Sequence, residues 1–114
     1  MKGRYLQHRR TAFAMAFLLA SAAGSAQSQS PRIVQTNSQS DIVSLIDPAT
    51  QQVVAQIKGI PVNHGAAAAP DGSRLYFSSE AKLTLDVVDT RDFSVIKEIP
   101  LSARPNNITI SKDG

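Results

Sequence analysis

Residues 33–57 read IVQTNSQSDIVSLIDPATQQVVAQI, and residues 75–99 read LYFSSEAKLTLDVVDTRDFSVIKEI, which repeats the first stretch at an offset of 42 residues. Asp47 falls on Asp89 and Val53 on Val95, and no gap is needed. Both stretches contain short bursts of strand-forming residues separated by turn residues, with no helical periodicity of useful length. The repeat therefore predicts an all-β chain built from similar units.

Each unit is predicted to contain four strands. In chain order within a unit they are 66–69 and 108–111 for the first strand, 33–37 and 75–79 for the second, 42–46 and 83–88 for the third, and 53–57 and 95–99 for the fourth. Both faces of the third strand carry apolar side chains, as expected when a small sheet is packed between two neighbours. A period of about 40 residues with several strands per unit is typical of a β-propeller blade.

The chain from Ile33 to Gly114 resembles the YVTN-type β-propeller repeat. The matching blocks are 33–37 (IVQTN), 41–47 (DIVSLID), 53–57 (VVAQI), 63–72 (NHGAAAAPDG) and a second copy from residue 75 (LYFSS). The sequence departs from the family pattern at Gln35, at Ser79 and at Asn106-Asn107. Such repeats recur in secreted and surface proteins, and similar propellers form the heavy chains of periplasmic quinoprotein amine dehydrogenases and some sugar-lactone hydrolases. The resemblance thus implies an architecture more strongly than an activity.

The N-terminus has the three-part layout of a secretory signal peptide. A basic start precedes an apolar run at residues 11–23, and Gly24-Ser25-Ala26 supplies the small residues that a signal peptidase recognises. The run is shorter than the ~20 residues that a membrane-spanning helix needs, so no permanent membrane span is expected after cleavage. We expect a periplasmic or secreted protein. Arg9-Arg10 leaves the twin-arginine route open beside the general one.

The rest of the chain divides into blades. The predicted organisation is a signal peptide at 1–26, a polar lead-in at 27–32, strands two to four of an incomplete first blade at 33–62, a complete second blade at 63–102, and the truncated inner strand of a third blade at 103–114. A propeller needs about four to eight blades to close. The sequence therefore predicts an N-terminal fragment of a longer protein.

The positive charge of the chain lies in its first residues. Twelve Lys and Arg against nine Asp and Glu give a net charge of +3, but four of the basic residues precede the apolar run: Lys2, Arg4, Arg9 and Arg10. From Gln27 onward the net charge is −1, so no nucleic-acid partner is expected. The chain has no Cys, which excludes disulfides, thiolate metal sites and covalent haem attachment through its own residues.

Three polar residues are the candidate ligand-binding residues of the predicted channel rim: Asn63, His64 and Asn106. His64 is expected in the loop that enters an inner strand, near one mouth of the central channel. The alternative is that His64 caps a strand end or bonds a neighbouring blade. A single His without a second His, a Cys or a nearby carboxylate has too few ligands for zinc or a redox metal. We therefore expect no metal site, no cofactor and no catalytic residue in this segment.

The remaining charged residues are interpreted as structural. Asp47 and Asp89 occupy equivalent positions and are predicted turn formers, as are Asp71 and Asp113. Asp86 lies within a predicted strand, and we expect it to be partly buried and bonded to a Lys, an Arg or a backbone donor. Four basic residues are interpreted as a solvated surface: Lys82, Arg91, Lys97 and Arg104.

Three hypotheses for the function remain open. The sequence favours an exported propeller that acts as a binding or interaction scaffold, whose rim loops hold a protein, a polymer or a small-molecule ligand. The first alternative is a propeller subunit of a periplasmic redox enzyme of the amine-dehydrogenase type, with its cofactor held by a partner chain or by residues beyond Gly114. The second alternative is a lactone hydrolase, which needs charged channel residues in other blades.

Overall fold

The computed structural model describes residues 30–114, and the predicted signal peptide lies outside the described residues. Within this range the chain forms seven strands and no helix. The strands are β1 (Ile33–Gln35), β2 (Val43–Asp47), β3 (Gln52–Ile57), β4 (Asn63–Ala68), β5 (Arg74–Ser79), β6 (Thr84–Asp89) and β7 (Val95–Pro100). The all-β prediction is confirmed.

The seven strands form two antiparallel sheets whose strands follow the order of the chain. The first sheet has the order β1-β2-β3 and is called the first blade below, and the second has the order β4-β5-β6-β7 and is called the second blade. The four-stranded second sheet is the complete blade that the repeat predicts. The three strands of the first sheet correspond to its second, third and fourth strands.

The offset of 42 residues also holds for the pairing register. Val43 lies opposite Ile57 in the first blade, and their counterparts Leu85 and Ile99 lie opposite each other in the second. The last two strands of both blades also share a β-bulge, placed between Leu45 and Ile46 in one and between Val87 and Val88 in the other. The two blades therefore share backbone geometry, bulge included, although few of their side chains are identical.

The turn before the last strand is held by an aspartate in each blade. The Asp47 carboxylate accepts a hydrogen bond of 2.9 Å from the amide of Ala49, and the Asp89 carboxylate bonds the amide two residues on in the same way. Gln51 and Phe93 close the two turns in the left-handed region, both with φ of 59°. The prediction that these aspartates form turns is confirmed.

The core lies between the two blades. Its seven buried apolar residues come from both sheets and from the linker: Val43, Leu45, Ile57, Ile60, Leu75, Phe77 and Val88. The linker also bonds the first blade, because the Ile60 amide donates to the Asp41 carbonyl at 3.1 Å. Val43 and Leu45 face this core, whereas their counterparts Leu85 and Val87 lie on the opposite face of the second blade. In each sheet, the strand predicted as the third of its unit thus contributes apolar residues to this core, from β2 in the first blade and from β6 in the second.

Two strand boundaries differ from the prediction. The inner strand β4 begins at Asn63, three residues before the predicted start, because a bulge between Asn63 and Ala66 lets the earlier residues pair with β5. Residues 108–111 are not in a strand, since no strand among residues 30–114 pairs with them. The turn after them is nevertheless repeated: the Gly114 amide bonds the Ser111 carbonyl at 3.2 Å, as Gly72 bonds Ala69 at 2.9 Å. The inner strand at 103–114 stays a prediction.

Gly65 lies where the segment after β7 crosses β4. Its amide donates a 2.7 Å hydrogen bond to the Ser78 hydroxyl, and a Cβ at this position would lie 2.9 Å from the Asn106 carbonyl oxygen and 2.9 Å from the Ile108 amide nitrogen. Both of these are backbone atoms, so a side chain could be accommodated only by moving the crossing segment away.

We expect Gly65→Ala to lower the free energy of unfolding of the full-length protein by about 2 kcal/mol, as overpacking does in a close contact. Chemical unfolding followed by circular dichroism measures this loss. Ala66→Ser, at an exposed neighbouring position of β4, is the matched control and should change stability by less than about 0.5 kcal/mol. Equal stability of the Gly65→Ala variant and the native protein would show that the close crossing does not form.

Candidate functional site

A carboxylate that the sequence analysis did not select lies at the centre of the candidate site. Glu80 directly follows β5 and its side chain is 17% exposed. Its Oε1 atom lies 3.4 Å from His64 Nε2 and accepts a hydrogen bond of 3.2 Å from Asn106 Nδ2. Its Oε2 atom lies 3.9 Å from Arg104 Nη1. These four residues are called the Glu80 cluster.

The backbone around Glu80 is fixed by the linker between the blades. The Glu80 amide donates to the Val62 carbonyl at 3.1 Å, and the Ser79 hydroxyl donates to the Pro61 carbonyl at 2.7 Å. The start of β4 follows this linker directly, which places His64 beside the end of β5. The cluster therefore joins the second blade to the segment that follows it.

The structure brings together two of the three predicted rim residues. His64 and Asn106 meet on Glu80, and they are 42 residues apart, so they occupy the same position of successive repeats. His64 lies within β4, so its predicted place in a loop is wrong; the strand begins earlier than its apolar residues suggest. His64 does have a nearby carboxylate, which corrects the expectation that it lacks one.

Asn63 lies apart from this cluster and is 1% exposed. Its Oδ1 atom accepts a hydrogen bond of 2.6 Å from the Asn37 amide, and its Nδ2 atom donates one of 2.7 Å to the Ile60 carbonyl. Both ends of the side-chain amide are therefore used to join the two blades. Asn63 is placed as a structural residue, away from the surface where a ligand could reach it.

The chemistry available to the Glu80 cluster is that of one imidazole and one carboxylate. A carboxylate beside a histidine orients the imidazole ring. Within residues 30–114, no three His, Cys, Asp or Glu side chains come together in a way that could hold a metal ion. The cluster is thus a polar contact site with partial exposure, and the expected absence of a metal stays a prediction.

A second charged network lies inside the second blade. Asp86 is fully buried, and its carboxylate accepts hydrogen bonds from Lys82 Nζ at 3.0 Å and from the Thr84 hydroxyl. Lys82 also bonds the Glu98 carboxylate. Burial alone would lower the pKa of Lys82, but its hydrogen bonds to Glu98 and Asp86 outweigh this effect and raise the pKa above its usual value. The predicted partner of Asp86 is confirmed, and the interpretation of Lys82 as a solvated side chain is wrong.

The first blade has no charge at the corresponding positions. The counterparts of Glu80, Lys82, Asp86 and Glu98 are, in that order, Ser38, Ser40, Ser44 and Gln56. Because both blades have the same pairing register at these strands, the repeat itself does not require the charges. They distinguish the second blade from the first.

The turn aspartate of the second blade pairs with an exposed arginine. The Arg91 guanidinium bonds both oxygens of Asp89, with Nε at 3.0 Å from Oδ1 and Nη2 at 2.6 Å from Oδ2. These side-chain bonds, with the bond from the Arg91 amide, lower the pKa of Asp89 from its ordinary 3.8 to about 2. The folded state therefore favours the ionised carboxylate.

This lowered pKa predicts a change of stability at acid pH. A depressed folded-state pKa stabilises the fold above the unfolded value of 3.8, and this contribution is lost as the pH falls through about 2. At neutral pH, we expect the Asp89→Asn variant of the full-length protein to have a lower melting temperature than the native protein. Near pH 2, we expect the two melting temperatures to differ less. Thermal melts of both proteins across this pH range measure the effect. A difference that stays constant with pH would contradict the ion pair.

Residues 30–114 include no helix of the length and apolar character needed to cross a membrane.

Comparisons with known proteins bear on the fold. No protein-family model matches the chain, and no match to a curated protein is found. Among solved structures, hydrazine synthase from Kuenenia stuttgartiensis is 30% identical with a TM-score of 0.69, and the match covers 73% of this chain and 24% of that one. Dihydro-heme d1 dehydrogenase NirN in complex with DHE is 24% identical with a TM-score of 0.61, and that match covers 73% of this chain and 18% of the other.

Both matched structures are β-propeller proteins. This chain spans about a quarter of the length of the first matched chain and less than a fifth of the second. The two sheets, their repeated register and their shared core agree with neighbouring propeller blades. Residues 30–114 are all-β and fold as about two blades of a β-propeller.

Proposed function

We propose that this chain is part of the propeller domain of an exported redox enzyme, in which the blades described above act as scaffold and rim. The observation that carries the proposal is the match to hydrazine synthase, at 30% identity over 73% of this chain. The dehydrogenase is a second redox enzyme with the same blade architecture. This favours the redox hypothesis over a scaffold that works outside an enzyme.

Two finer assignments belong to the proposal. The repeat is assigned to the YVTN type, supported by the blocks that begin at Ile33, Asp41 and Val53. Export to the periplasm or the cell exterior is supported by the signal-like sequence of residues 1–26. The first assignment concerns the type of repeat and the second the location of the protein, and neither identifies a substrate.

Residues 30–114 include no cluster of three His, Cys, Asp or Glu side chains that could hold a redox metal. His64 is the one imidazole in this range, and its Nε2 atom faces Glu80. The buried charges are bonded to one another, with Lys82 between Asp86 and Glu98. In this proposal the cofactor belongs to other parts of the protein or to a partner chain, and these two blades contribute rigidity.

A visible absorption spectrum tests the proposal. The full-length protein, purified from its native host, should show an absorption band in the visible range that changes when dithionite is added. A protein without such a band, and without a redox-active metal or organic cofactor by mass spectrometry, would contradict the redox assignment. The protein produced in a host that lacks the cofactor pathway is the matched control.

A non-enzymatic binding scaffold remains the second candidate, and the Glu80 cluster favours it. The His64 side chain is 33% exposed and that of Arg104 is 78% exposed, so both reach solvent. If the cluster binds the ligand, His64→Ala should weaken binding measured by calorimetry, whereas unchanged affinity would leave His64 structural. The lactone-hydrolase hypothesis is untested.

A further inference from the structure

Two leucines are exposed at the end of the second blade that carries Glu80. Leu83, in the turn between β5 and β6, is 39% exposed, and Leu101, directly after β7, is 36% exposed. They are adjacent, because the Leu101 amide donates a 2.8 Å hydrogen bond to the Leu83 carbonyl. These two residues are called the leucine pair.

The repeat does not require the leucine pair. The counterparts in the first blade are Asp41 and Gly59, neither of which carries an apolar side chain. The corresponding loop of the first blade contains these residues, and its Asp41 carbonyl also accepts a linker amide, that of Ile60 at 3.1 Å. The fold therefore explains why the backbone turns here but not why two leucines face solvent.

Leu83 is also held in a strained conformation. Its φ of 55° lies in the left-handed region, which costs a branched side chain on the order of 1 kcal/mol. Asp41, its counterpart, does not adopt a positive φ. By contrast, the positive φ of Gln51 and Phe93 occurs in both blades and belongs to the repeat. The strain at Leu83 is specific to the second blade.

A largely exposed positive charge follows the leucine pair closely in the chain. Arg104 follows Leu101 by three residues, its side chain is 78% exposed, and its one acidic neighbour among residues 30–114 is Glu80, with Oε2 at 3.9 Å. The other oxygen of Glu80 already faces His64 and Asn106. Lys82 is bonded to two carboxylates and is 26% exposed. Val62, the first-blade counterpart of Arg104, is neutral, so this charge too is specific to the second blade.

We propose that the leucine pair and Arg104 form a docking surface for a partner protein. The partner segment places an apolar side chain on Leu83 and Leu101 and a carboxylate on the Arg104 guanidinium, which recognises carboxylates through two parallel hydrogen bonds. Exposed apolar residues with a charge at their margin are the usual composition of such a surface. This proposal goes beyond the scaffold function, which names no partner.

Selection from a displayed random peptide library tests the proposal on the full-length protein. Peptides that bind should converge on an acidic residue next to apolar residues. The same peptides, synthesised and titrated by fluorescence anisotropy, should lose at least about tenfold in affinity for Leu83→Asp and for Arg104→Val. Both variants should fold, because Asp tolerates the positive φ of Leu83 better than most residues do and the Arg104 side chain is 78% exposed. Val54→Asp, at an apolar site of β3 that is 47% exposed, is the matched control and should bind normally.

Three outcomes would overturn the proposal. They are a selection with no consensus, a consensus without an acidic residue, and an affinity that Leu83→Asp and Arg104→Val leave unchanged. A structure of the full-length protein in which another blade covers Leu83 would overturn it as well. None of these outcomes depends on the absorption spectrum, so the docking surface and the redox assignment fail independently.

Discussion

Replacing Phe77 with Ala is expected to lower the free energy of unfolding of the full-length protein by about 4 kcal/mol. Phe77 lies in the middle of β5, is 0% exposed, and has the largest fully buried side chain among residues 30–114. It packs in the core that the two blades share, together with Leu45 and Ile57. Its removal therefore leaves a cavity between blades, where two rigid sheets can close in only partly.

Chemical unfolding of the full-length protein measures this effect. Ile96→Ala is the matched control, because Ile96 is 49% exposed at the bulge of β7 and should change stability by about 0.5 kcal/mol or less. A loss for Phe77→Ala no larger than that of Ile96→Ala would mean that the two blades do not pack through this core.

Replacing Asp86 with Ala is expected to cost about 3 kcal/mol. Asp86 is fully buried, and its removal leaves the ammonium group of Lys82 with only the half-exposed carboxylate of Glu98. Breaking a buried ion pair from one side is strongly destabilising because the remaining charge loses its partner. The Thr84 hydroxyl also loses its acceptor.

The first blade supplies the control for this prediction. In the combined variant Lys82→Ser, Asp86→Ser and Glu98→Gln, each residue is replaced by its first-blade counterpart. We expect this variant to lose less stability than Asp86→Ala, because removing all three charges together leaves no buried charge without its partner. Chemical unfolding of the two variants side by side measures the difference. A combined variant less stable than Asp86→Ala would show that the charges are needed by the fold itself.

The repeat and its strands could be predicted because both rest on local pattern. The match of Asp47 with Asp89 gives the period. Each aspartate also bonds the amide two residues on, so the residue that marks the repeat in the sequence is the one that forms the turn. The alternation of apolar residues in β2 and β6 follows from burial on alternate sides of a pleated strand. These features depend on residues close in the chain.

Strand ends were predicted less well because they depend on partners. Asn63, His64 and Gly65 have low strand propensity, and they join β4 because β5 offers them a partner through a bulge. Residues 108–111 have a good strand sequence, but no strand among residues 30–114 pairs with them. Propensity alone therefore misplaced one strand start and left one strand as a prediction.

The candidate site was only half predictable. His64 and Asn106 could be selected from their matching repeat positions, but Glu80 could not, because its partners lie 16 to 26 residues away along the chain. Repeat comparison held a usable signal: Glu80 replaces Ser38, and a charge that appears in one repeat only marks a position the fold does not demand. Lys82 was misinterpreted for a related reason, since its burial depends on Asp86 and Glu98 on neighbouring strands.

A crystal structure of the full-length protein is the most direct test of the central claim, that residues 33–57 and 75–99 build two adjacent propeller blades of the same geometry. The account predicts that the two stretches superimpose at an offset of 42 residues, with bulges after Leu45 and Val87, and that Phe77 is buried between them. Two sheets that share no core, or a β1 strand that pairs in another register, would contradict it.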